Sequence, residues 1–109
     1  MKFSRGRGKI LLNGINNKKS IEIVDGYYTE DGKYFIYKGV SNWYMMDANS
    51  GLSYGKSQNY TTKKDVENNL GSIISKFDKV KEHDKDWYNK VARQYKKLCR
   101  EYDLNGGRK

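Results

Sequence analysis

An α+β domain is the fold this sequence predicts: a four-stranded antiparallel meander, then two amphipathic helices packed on one of its faces. Three observations predict it. Up to about residue 57, apolar residues come in short runs separated by turn-forming Gly, Asn and Asp. From Thr62 onward the apolar spacing changes to three and four, the period of a helix. The chain has 109 residues and no proline, enough for one small core and no second domain.

Each element follows from its residues. The opening "SRGRGK" alternates arginine and glycine, with no acid before Glu22. Glycine loses more freedom on ordering than any other residue, so residues 1–8 are expected to form a flexible basic arm. Residues 9–12 then make a short strand around Ile10-Leu11-Leu12. "SIEIVDGYYT" (20–29) alternates at Ile21 and Ile23 and shifts phase after Gly26, which predicts a strand with a bulge or bend there. In "EDGK" (30–33), Asp-Gly supplies the positive φ that a hairpin turn wants. "YFIYK" (34–38) returns, "WYMMDA" (43–48) follows the "GVSN" turn, and "LSYGKS" (52–57) is the last strand. Thr62 caps a helix whose first turn holds Asp65, and Val66, Leu70, Ile73, Ile74, Phe77 and Val80 form its apolar face over about five turns. Asp84 caps a second helix with Trp87, Tyr88, Val91, Tyr95, Leu98 and Tyr102 in a stripe about 100° wide. Asn105-Gly106-Gly107 ends it. The chain thus divides into an arm (1–8), one domain (9–105) and a tail (106–109).

Composition narrows the function. The net charge is +9, from 22 basic and 13 acidic residues. Residues 1–19 carry six bases and no acid; residues 84–109 carry eight bases against four acids, while residues 20–60 are net negative. A surplus concentrated at both ends suits a polyanionic partner. No run approaches the ~18 apolar residues of a membrane span. The first residues lack an apolar signal core, so a cytoplasmic protein without membrane contact is expected. The single cysteine, Cys99, cannot form an internal disulfide.

Catalysis finds little support in the residue types. His83 is the only histidine, so with one cysteine a zinc site lacks ligands. The acids Asp25, Asp31 and Asp47 sit among turn signals rather than in the cluster a metal-dependent nuclease needs. No cofactor and no enzymatic activity are expected. Binding is better supplied. Opposite the apolar stripe of the second helix lie Lys90, Arg93, Lys96, Lys97 and Arg100. They make either a solvated face or a ridge that tracks phosphates. Arg5, Arg7 and Lys9 on the arm are candidates to clasp phosphates or enter a groove. The meander brings Tyr27, Tyr28, Tyr34, Phe35, Tyr37, Trp43, Tyr44 and Tyr54. Phe35, Tyr37, Tyr44 and Met46 are expected beneath the helices. Tyr34, Ile36, Trp43 and Met45 would then look outward, with Tyr34 and Trp43 able to stack a base or contact a protein. The alternative is that a small sheet needs large side chains on both faces.

Two resemblances add to this reading. Residues 38–70, "KGVSNWYMMDANSGLSYGKSQNYTTKKDVENNL", place a Trp-bearing strand, a turn, a further strand and a Thr-Lys-Lys helix start in the order of AP2-type DNA-binding domains. That resemblance implies a DNA-binding accessory protein of recombination or transcription, with a sheet in the major groove and a helix behind it. The whole chain, rich in Lys, Asn and Tyr and lacking proline, resembles small proteins of phages and mobile elements of Gram-positive bacteria, anti-CRISPR proteins among them. That resemblance implies a non-enzymatic inhibitor of a nucleic-acid-targeting defence system, acting in the host cytoplasm. Its partner would be RNA, DNA or a nucleoprotein effector nuclease.

Overall fold

In a computed structural model, residues 2–13, 19–54 and 60–104 are described. They form an α+β fold, a five-stranded antiparallel meander followed by helices packed against it. The strands are β1 (Phe3–Asn13), β2 (Lys19–Thr29), β3 (Tyr34–Lys38), β4 (Trp43–Asp47) and β5 (Ser53–Tyr54), and their order in the sheet is their order in the chain. The helices are α1 (Lys63–Asn68), α2 (Leu70–His83) and α3 (Lys85–Leu104). The expected glycine stop and tail after residue 104 lie outside the described residues, as does the part of the last expected strand beyond Tyr54.

The basic arm is corrected first. Phe3 to Asn13 form β1, which pairs with β2 along its whole length, from Phe3 opposite Thr29 to Asn13 opposite Lys19. Alternation of arginine and glycine is a strand period, and it separates two faces. Arg5, Arg7 and Lys9 fall on one side; Gly6 and Gly8 fall on the other. A Cβ at Gly8 would stand 2.5 Å from the ring of Phe35, and one at Gly6 would stand 3.2 Å from the ring of Tyr28. The rings of β2 and β3 therefore occupy the space that β1 side chains would need. Gly26, opposite Gly6, has the same role: a Cβ there would run into the Ile36 carbonyl oxygen and the Phe35 ring. Aromatic packing over glycine replaces the missing side chains and secures the register. No bulge forms at Gly26, because the pairing continues through it without an extra residue.

At β3 both faces of the sheet are buried, so this strand reads as a continuous apolar run and Tyr34, Phe35, Ile36 and Tyr37 are all buried. On one face Tyr34, Ile36 and Met45 pack with Val66, Leu70, Ile73 and Phe77 of α1 and α2. On the other, Ile10, Phe35, Tyr37 and Met46 form a second cluster with Val24, Tyr28 and Tyr44 against it. This reverses the expected assignment: the set expected outside lies under α1 and α2, and its opposite is buried as well.

The helical stretch after Thr62 is two helices rather than one. Thr62 Oγ1 accepts from the Asp65 N–H, and the Asp65 carboxylate accepts from the Thr62 N–H, each at 3.1 Å. The break falls at Asn69, whose Nδ2 donates to the Asp65 carbonyl at 2.7 Å, a side chain competing with the backbone ladder. Asp84 caps α3 as its position predicts, accepting from the Trp87 N–H at 2.9 Å.

Helix α3 has anchors of its own. The Tyr88 hydroxyl donates to Asp47 Oδ2 at 2.5 Å, and Asp47 also accepts from Ser50 Oγ at 2.6 Å. The Tyr95 hydroxyl donates to the carbonyl of Lys9, and its ring lies against Gly51, whose φ of 75° favours glycine. Lys9 Nζ meets Asp103 Oδ2 at 2.8 Å. The last helix is thereby tied to both the β4–β5 turn and β1.

Candidate functional site

Helix α3 owes its two faces to sequence spacing. Tyr88, Val91, Ala92 and Tyr95 are buried. At 100° per residue, Lys90, Arg93, Lys97 and Arg100 point the opposite way, within an arc of about 80°. All four are exposed, as is Lys96 beside them. Among the described residues none of the five has an ion-pair partner. The ridge spans ten residues, about 15 Å at the helical rise.

The cations of β1 are placed differently. Arg5 and Arg7 are exposed on the face away from the Gly6 and Gly8 backbone contacts, and with Asp25 and Tyr27 they line a shallow cleft of about 310 Å³. Arg7 Nε lies 3.6 Å from Asp25 Oδ1, both groups largely in solvent. Lys9 is partly buried and held by Asp103, whose hydrogen bond raises the ammonium's pKa. Of the three, Arg5 alone has no ion-pair partner among the described residues. Cross-strand pairing sets Arg5 opposite Tyr27. Lys63 Nζ of α1 stands 4.4 Å from the centroid of that ring and 5.2 Å from that of Phe3.

The aromatic candidates are corrected by burial. Tyr34 is 5% exposed and sits in the core under α2, its ring 5.9 Å from that of Phe77. Burial pushes its phenol up to about 12. Trp43 is half-buried, packs against the same cluster, and lies opposite Lys38. Of the fifteen aromatic residues, every one of them described, only Trp87 is exposed. It stands at the start of α3 beside Val80. The sequence could not separate these cases, because alternation tells which residues share a face but not whether the second face is covered. Asp25 and Asp103, which neutralise Arg7 and Lys9, were invisible for a related reason: one needs the β1–β2 register and the other the docking of α3.

The groups suited to chemistry are not gathered. Among the described residues no group of three His, Cys, Asp or Glu side chains is placed to hold a metal. His83 is exposed at the end of α2. Cys99 is half-buried, and burial pushes its thiol up, away from the thiolate form that a nucleophile requires. No helix among the described residues is long and apolar enough to cross a membrane.

No protein-family model matches the chain, and no curated protein or solved structure is significantly similar to it.

Proposed function

We propose that the protein is a non-enzymatic binding protein whose partner is nucleic acid or a nucleoprotein, met by the exposed face of α3. One observation carries this reading. Lys90, Arg93, Lys97 and Arg100 form a ridge with no ion-pair partner among the described residues, bounded on the same helix face by the exposed acids Asp86 and Glu101, although acids elsewhere do pair with Arg7 and Lys9. Cations spent on folding would be paired; these face solvent together. Arg5 adds one further free charge from β1. In the setting that the resemblance to phage proteins implies, a bacterial host cell infected by a phage, such a surface blocks a nucleic-acid-targeting effector by competing for its nucleic acid or covering its nucleoprotein groove.

The AP2-like alternative fares less well. It needs an open sheet face to enter the major groove, yet here Phe35, Tyr37 and Met46 are buried on the face opposite α1 and α2. Few donors remain there to read base edges.

The test is charge reversal at Arg93, Lys97 and Arg100. Affinity for nucleic acid or for the captured nucleoprotein is expected to fall at least a hundredfold at low salt, with the melting temperature unchanged. Binding that survives the triple reversal would remove α3 from the interface.

A further inference from the structure

We infer that the ridge takes the phosphate backbone of a duplex, without reading its bases and in preference to a single strand. This rests on the binding role assigned to α3 above.

Two features of the molecule carry it. Proteins that hold single strands combine a basic groove with exposed aromatic platforms on which bases stack. Here fourteen of the fifteen aromatic residues are buried or half-buried. Tyr27 lies under Lys63, Tyr28 against Phe35, Tyr54 against Phe77 with its hydroxyl bound to Lys76. The exposed exception, Trp87, precedes the ridge by about one turn and borders a mostly apolar cleft with Val80 and Phe77. The surface between Lys90 and Arg100 presents no ring at all.

The second feature is spacing. The four cations follow one helix face at intervals of three, four and three residues, a rigid row about 15 Å long. The phosphates of each strand advance about 3.4 Å per nucleotide along the axis of a duplex, so the row matches the axial rise of four or so of them. A stiff row matches a stiff rail; a flexible single strand would lose freedom in aligning to it and would gain no stacking in return. Backbone contact carries no sequence information, so affinity should not depend on base order.

Fluorescence anisotropy with the intact chain decides it, using a 16-base-pair DNA duplex, an RNA duplex, a duplex of scrambled sequence, and the matching single strand. Expected are binding to the duplexes within tenfold of each other whatever the sequence, and at least tenfold weaker binding of the single strand. The slope of log K against log salt should be about −3.6 for four contacts, and Arg93→Gln with Lys97→Gln should make it about 1.8 shallower. A preference between the DNA and RNA duplexes inside that tenfold range supports the assignment and identifies the source of the phosphates. Single-strand binding less than tenfold weaker than that of the duplexes, a sequence preference beyond tenfold, or an unchanged slope in the variant overturns the duplex assignment and leaves the polyanion reading standing. Absence of binding to every probe at low salt overturns both.

Discussion

Three glycines in this chain look alike in sequence and differ in what surrounds them. Gly26 has no room: a Cβ there would meet the Ile36 carbonyl oxygen and the Phe35 ring. Gly71 lies in α2 with open space around it and no positive φ. Gly32 also has open space, but its φ is 72°, which side chains resist. Gly26→Ala is therefore expected to destabilise by about 2–4 kcal/mol, since the obstruction includes backbone. Gly71→Ala should stabilise by about 0.5–1 kcal/mol, by relieving the helix of its most flexible residue. Chemical denaturation of the two variants beside the parent checks both signs. From sequence alone the Gly32 turn and the helical place of Gly71 were legible, because Asp-Gly and the apolar spacing around Gly71 state them locally. The reason for Gly26 lies in a neighbouring strand, where no pattern within β2 could reveal it.

At the scale of the element, β1 is the instructive case. Its composition argues for disorder, yet its partner strand and the rings over its glycines order it. Deleting residues 2–8 separates the two views. A free arm could be lost without effect on stability. A strand that covers Phe35 cannot, and the melting temperature should drop by more than about 10 °C, or the chain should fail to fold. The helices were easier to foresee, since the signals that start them are local. Thr62 with Asp65 and Asp84 with Trp87 make the hydrogen bonds their spacing implies. The break at Asn69 escaped because apolar spacing runs through it in phase; only the side-chain bond to the Asp65 carbonyl marks the end of α1. The ridge on α3 was legible in full, as helical periodicity places its charges without help from the rest of the fold.

For the molecule as a whole, the tyrosines govern alkaline stability. Burial raises the phenols of Tyr28, Tyr34, Tyr37, Tyr88 and Tyr95 above the ordinary value of 10. A group whose folded pKa is raised contributes stability below its unfolded pKa and loses it as pH climbs through the folded one. The unfolded chain can ionise these phenols from about pH 10, whereas the folded chain resists, Tyr34 until about 12. Lys9 acts in the same sense, its ammonium held up by the bond to Asp103. The melting temperature should hold steady to about pH 9.5 and fall steeply above 10, with tyrosinate absorbance rising together with unfolding. An absorbance change that accounts for all ten tyrosines at the ordinary pKa while the fold persists would contradict this. The fold class was readable from the chain; the division of the first expected helix into two was not, and neither was the burial of both faces at β3, because it depends on the rings of β2 and β3 packing over the glycines of β1.

The latch between Lys9 and Asp103 joins residues 94 positions apart, and the Tyr95 hydroxyl reaches back 86 positions to the Lys9 carbonyl. On the ribosome the outer hairpin emerges before its fastening. At about 5–20 residues per second, the nascent polypeptide carries an unlatched, ring-bearing ribbon for seconds before the closing helix is synthesised.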